Sequence, residues 1–150
     1  MTSGRSGPFW DGIEGRAPVP PAAATLGFEF LAADVEAGTI DIAFTATEAF
    51  VNPMGNVLGA FVAAMLYDTV GPALLAVLEP DRFQSTLQMS VSFLRPVRPG
   101  RLLAHGRVTH RATDIANIEA ALTDPRQDAV VATATAVARV IPLNAASGAV

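Results

Sequence analysis

Residues Asn52 to Leu78 read NPMGNVLGAFVAAMLYDTVGPALLAVL, an apolar run in which Asp68 is the only charged residue. An ionised carboxylate in such surroundings costs several kcal/mol unless something compensates. Asn52-Pro53 reads as a turn and Gly55-Asn56 as a loop end able to cap a helix; no further breaker comes before Gly71, so a helix is expected from about Val57. Pro72 has no N–H to give the carbonyl of Asp68, which predicts a kink just beyond the carboxylate. On a helical projection Ala60, Ala64, Asp68 and Gly71 share one face, all small but the aspartate. Two readings stand side by side: close packing on a sheet with Asp68 hydrogen-bonded into the structure, or a slot for a thin ligand. The run is long enough to span a bilayer, but a central aspartate, the Gly71-Pro72 break and the lack of basic flanks make it a core helix.

Strand patterns lie on either side. Leu26 to Asp34 and Thr39 to Thr47 form a predicted hairpin, with Ile40, Ile42 and Phe44 alternating along its second arm. Thr86 to Phe93 alternates without a fault, with Leu87, Met89, Val91 and Phe93 on one side. Pro96, Pro99 and Gly100 turn the chain into Arg101 to Arg111, where Leu102, Ala104, Gly106 and Val108 oppose Leu103, His105, Arg107 and Thr109. Strands are also expected over Ile115 to Thr123 and Ala129 to Ile141. Short turns favour antiparallel neighbours. One helix covers only one face of six strands, so the other face is expected to stay open or meet a partner. Residues 1–25, rich in Gly and Pro, are expected to form an irregular lead-in, with Phe9 and Trp10 pinning it to a domain spanning 26–142 and a frayed tail at 143–150.

Composition narrows the partners. The 150 residues suit one domain, and 51% hydrophobic against 16% charged residues predicts apolar surface buried against another subunit. No cysteine is present, which removes disulfides and thiolate chemistry. Met1 to Ala24 lacks the continuous apolar core of a signal peptide, so a cytoplasmic protein is expected. The net charge of −4 argues against nucleic acid, yet it is uneven: residues 1–81 carry two arginines against ten acids, residues 82–150 eight against four. The basic second half suits a small polyanion, with Arg95, Arg98 and Arg101 read either as phosphate contacts or as solvated loop charges. His105 and His110 make no metal site, and no Gly-rich phosphate loop or serine nucleophile elbow is found.

The element order, together with Asn52-Pro53-Met54-Gly55, Leu66-Tyr67-Asp68-Thr69, Ser92-Phe93-Leu94-Arg95-Pro96-Val97, Leu122-Thr123-Asp124 and Val131-Ala132-Thr133-Ala134, resembles the hot-dog acyl-CoA thioesterases of the phenylacetic-acid-degradation (PaaI-like) branch. The resemblance covers Leu26 to Ile141 and implies an α+β hot-dog fold, an antiparallel six-stranded sheet wrapped around one long central helix. It implies a homodimer, or a homotetramer built as a dimer of dimers, with sites between subunits, no metal or cofactor, and an acyl-CoA substrate of medium-length or aromatic acyl group. By position, Asn52 would orient the thioester or the attacking water, Asp68 would be general base or nucleophile, and Thr86 would assist from the partner chain. The amides of Gly59 and Ala60, beside Leu58 and Tyr67, would polarise the carbonyl, and Arg95, Arg98 and Arg111 would meet the CoA phosphates. Two departures stand out. The family's His-Gly-Gly entrance reads Leu58-Gly59-Ala60, and counting forward from Asn52 puts Tyr67 at the carboxylate position, although a phenol of pKa about 10 is no neutral-pH base. These departures motivate the alternative of a non-catalytic binder of acyl-CoA or a similar ligand; a dehydratase lacks a suitably placed histidine.

Overall fold

In the computed structural model, which describes residues 4–150, the apolar run becomes helix α3 (Gly59–Leu75). The preceding helices are α1 (Pro8–Ile13) and α2 (Pro21–Thr25), and the strands are β1 (Glu29–Asp34), β2 (Thr39–Ala46), β3 (Arg82–Phe93), β4 (Gly100–Arg111), β5 (Ile115–Asp124) and β6 (Ala129–Pro142). They form one antiparallel sheet in the order β1-β2-β4-β5-β6-β3, wrapped on α3 as the hot-dog arrangement requires. The short link from β3 to β4 therefore joins strands that are not neighbours. Pro96 and Pro99 supply no N–H to a hairpin ladder, and the link instead ties to the loop before α3, where the Val57 N–H donates to the Val97 carbonyl at 2.7 Å.

The α3 face on the sheet is Val62, Met65, Leu66, Thr69, Val70 and Ala73, all buried. It packs on Ile40, Ile42 and Phe44 of β2, Leu102 and Ala104 of β4, and the inward rows of β5 and β6. Each large side chain so buried stabilises the fold by roughly 1.5–3 kcal/mol. Alanines 132, 134, 136 and 138 keep the β6 row low, and Gly106 on β4 marks the tightest approach. A Cβ there would fall 3.0 Å from the Thr69 methyl and 3.1 Å from both Ala73 and Ile40. Helix and sheet meet so closely at Gly106 that a side chain there would force its neighbours to shift. The outer face of the sheet carries exposed ion pairs instead: Arg101 with Glu29 at 2.6 Å, Arg107 with Glu119 at 3.1 Å, and His105 with Asp41 at 2.7 Å.

Several expectations are corrected. The helix begins at Gly59 with Leu58 at its N-cap, and it runs through Gly71-Pro72 to Leu75. Ala60 is exposed and Ala64 half-buried, so the small face does not lie on the sheet. The β3 alternation is broken by a bulge between Thr86 and Gln88 that makes Leu87 the extra residue. Gln84 and Thr86 therefore point inward before it, Met89 and Val91 after it, and Leu87 is 51% exposed. The lead-in contains two helices rather than irregular chain. Trp10 pins it, donating its ring N–H to the Ala76 carbonyl at 3.1 Å and meeting Phe9 and Phe30 edge to face. The tail is also tied down: Leu143 N–H donates to the Asp81 carbonyl at 2.8 Å, and Val150 N–H to Ser85 Oγ at 3.0 Å. Among the described residues no helix is long and apolar enough to cross a membrane.

Candidate active site

Asp68 sits mid-helix on the α3 face turned away from the sheet. Its Oδ2 atom is buried and accepts no hydrogen bond from the described residues, and the hydroxyl of neighbouring Tyr67 is in the same condition. Burial pushes the Asp68 carboxyl up to about 6 from 3.8. A structural aspartate is ordinarily paired, and the bare Oδ2 gives the hydrogen-bonded reading no support. Both side chains line a cavity of about 610 Å³, together with Gly71, Pro72 and Leu75 of α3, Phe83 and Gln84 of β3, and residues of the amino-terminal segment.

Gln84 is a polar neighbour of this cavity that the sequence pattern did not single out. It is buried, and it fits because Gly71 has no side chain: a Cβ there would lie 3.1 Å from Gln84 Nε2. The Thr86 hydroxyl donates to Gln84 Oε1 at 3.2 Å, which fixes the amide. Thr86 itself does not line the cavity. Only the bulge at Leu87, invisible in a two-residue alternation, brings Gln84 and Thr86 to the inner side.

Asn52, Gly59 and Arg95 line a second cavity of about 340 Å³ with Phe93, Leu94 and Val97. Asn52 Oδ1 accepts the N–H groups of Met54 at 2.9 Å and Asn56 at 3.1 Å, so its side chain shapes the turn ahead of the helix. No side chain caps α3, leaving its first N–H groups, including those of Gly59 and Ala60, as oriented donors beside this cavity. Leu58 is 44% exposed and does not line it. The Phe93 ring seals the helix start, 3.3 Å from where a Gly59 Cβ would be.

The loop under this cavity is clamped from below. Asp124, 2% exposed, binds Arg126 at 3.0 Å and Gln127 at 2.9 Å. Burial raises the Asp124 carboxyl, but the hydrogen bonds from Arg126 and Gln127 outweigh it and hold it below the usual range. Arg126 also donates to the carbonyls of Pro99 at 2.7 Å and Arg98 at 2.8 Å. Arg98 in turn donates to the Gly55 carbonyl at 3.2 Å, joining this loop to the Asn52 turn. Arg111 lies elsewhere, held by Glu79 at 2.9 Å and lining neither cavity.

Within one chain, then, the carboxylate and the helix-start donors are apart. Gly59 and Asp68 lie nine residues apart on α3, roughly 13 Å along the helix, and line different cavities, which Phe93 and Gln84 of β3 mark at either end.

The model of a family described as the thioesterase superfamily matches residues 54–131. The chain belongs to the thioesterase superfamily. A phenylacetic acid degradation-related protein from Ralstonia eutropha JMP134 is 39% identical, with a TM-score of 0.84 over 87% of this chain and 98% of that one. The PaaI protein of the E. coli phenylacetic acid degradation operon superposes with a TM-score of 0.77 at 18% identity, over 89% of this chain and 93% of that one. A Streptococcus mutans protein bound to acetyl CoA gives 0.69 at 20% identity, over 77% and 89%. No curated protein matches the chain. This thioesterase is a PaaI-like member of the hot-dog fold and hydrolyses thioesters. Its match begins at Met54, after the whole amino-terminal segment that borders Asp68.

Proposed function

We propose that this thioesterase works as a homodimer in which Asp68 of one chain acts on a thioester held at the α3 start of the other, and that its acyl groups are medium-length or aromatic. The observation that carries the reading is the separation of the two half-sites along β3. This strand is an edge of the sheet, and Leu87, Phe93 and Leu94 on and beside it are exposed. Antiparallel pairing of two β3 edges sets the beginning of one strand against the end of the other, so each carboxylate cavity meets a partner's helix start. The exposed apolar side chains would be covered by the same contact.

The chemistry follows from the parts. The amides of Gly59 and Ala60 donate to the thioester oxygen as it gains charge. Asp68, ionised at neutral pH but poorly solvated, takes a proton from water as the water oxygen bonds to the carbonyl carbon, or attacks that carbon itself. The C–S bond then breaks, and the CoA sulfur leaves as thiolate and collects a proton; where Asp68 attacks directly, water then hydrolyses the mixed anhydride to free acid and regenerates the carboxylate. Gln84, oriented by Thr86, offers a neutral polar group in the same cavity. Arg95 is the arginine best disposed for a CoA phosphate, since Arg98 is shared with the Asn52 turn and Arg111 is engaged by Glu79. The aromatic lining of the cavity, and a volume within the roughly 300–1,000 Å³ usual for small-molecule pockets, support a compact apolar acyl group.

Thiol release from a graded acyl-CoA panel tests this. Asp68→Asn should lower kcat by roughly a thousandfold or more while the fold survives. Mixing that variant with Gly59→Val, which blocks the helix start, should restore activity through mixed dimers carrying one intact site. Full activity of Asp68→Asn would refute the assignment, and failure of the mixture to recover would refute the shared site.

A further inference from the structure

The cavity of Asp68 is walled mostly by residues that come before β2. Phe9 and Ile13 of α1, Val19 in the link to α2, and Phe28 and Phe30 at the start of β1 all line it. Every one of them precedes residue 54, where the match to the family model begins. Helix α3 and the start of β3 supply the remaining walls, and these alone would leave the carboxylate facing solvent.

The segment is also built to stay in place. Trp10, 5% exposed, is bonded to the Ala76 carbonyl beyond the end of α3, and its ring meets both Phe9 and Phe30. Phe9 and Phe30 also meet each other edge to face, 6.1 Å between centroids. Gly7 presses against Pro80, where a Cβ would come within 3.3 Å. Trp10 thus anchors α1 to the helix that carries Asp68, and the apolar residues on either side of it face the cavity.

We infer that the amino-terminal segment is the wall of the acyl chamber, and that Phe9, Ile13 and Val19 set the longest acyl group the enzyme accepts. The inference rests on the reading of Asp68 as the group that acts on the thioester. An acyl chain reaching the carbonyl beside Asp68 must extend into the space these side chains bound, and each additional methylene that fits contributes roughly four-fold to kcat/KM. Truncating a wall residue should lengthen the preferred chain, and enlarging one should shorten it.

Gly12 makes the second half testable. It lines the cavity, and a Cβ added there meets nothing within 4 Å, so the side chain of Gly12→Leu starts in open space. The experiment is a kcat/KM profile for straight-chain acyl-CoAs of increasing length with the full-length wild type, Ile13→Ala and Gly12→Leu. Ile13→Ala should move the optimum to longer chains, by about two to three methylenes, and Gly12→Leu should move it to shorter ones. General damage to the fold cannot shift the two variants in opposite directions. Wild-type turnover with the same optimum in all three proteins would overturn the wall while leaving the catalytic reading intact. A wild type inactive on every acyl-CoA would overturn both.

Discussion

Replacing Asp68 with asparagine should make the protein more stable at neutral pH while removing its activity. The carboxyl is raised from 3.8 to about 6 by burial, so the folded chain holds this proton more tightly than the unfolded chain does. A raised carboxyl contributes stability below the unfolded value and loses it as pH rises through the folded one. With about 1.36 kcal/mol per pKa unit, the penalty is about 1 kcal/mol at pH 4.5 and about 3 kcal/mol by pH 7. The amide carries no charge and escapes it. For a chain of this length each kcal/mol is worth roughly 2–4 °C, so the Tm advantage of Asp68→Asn should grow from a few degrees at pH 4.5 to roughly 6–12 °C at pH 7. Circular dichroism melts of both proteins across this range measure it. Wild-type kcat should rise with pH through about 6 and level off above it, while the residual rate of the variant stays flat. A variant less stable than wild type at every pH would mean that the carboxylate makes bonds the structure lacks, and the argument from burial would collapse.

Arg126→Ala strips the main partner from buried Asp124 and frees the carbonyls of Arg98 and Pro99; it should cost about 2 kcal/mol in a urea titration and raise KM more than it lowers kcat. Gly106→Ala places a methyl within about 3 Å of three α3 and β2 atoms and should destabilise by roughly 1–3 kcal/mol, read as a lower denaturant midpoint with an unchanged slope. Leu87→Arg with Phe93→Ser on the exposed β3 edge should convert dimer to monomer in sedimentation and abolish turnover, although neither side chain belongs to the core; an active monomer would contradict the shared site.

Much of the fold was legible because its elements obey simple periods. Ile40, Ile42 and Phe44 alternate as a half-buried strand must, and the stretch from Gly59 to Leu75 has the length and composition of a core helix. Asp68 was legible for the opposite reason, as a charge where none belongs. Less could be read where the pattern depends on three-dimensional pairing. The bulge at Leu87 changes which β3 side chains point inward, and nothing in Thr86 to Phe93 signals it, so Gln84 went unmarked. The helix that carries Phe9 and Ile13 was hidden by the glycines and prolines around it, which suggested irregular chain although Pro8 and Pro21 in fact open short helices. That Asn52 and Asp68 line different cavities was concealed too, because the turn and loop between Asn52 and the helix start have no period from which to read a direction.

The strand order imposes a schedule on folding. β3 is made before β4, β5 and β6, yet its hydrogen-bonding neighbour is β6, which leaves the ribosome after all of them. Until then the row of Met89 and Val91 has no strand to zip against, and the sheet-facing side of α3 has only part of its bed. A chain shortened within Ala129–Pro142 should therefore fail as a whole rather than fray at one end. Nascent protein should depend on holding chaperones until the final strand is released.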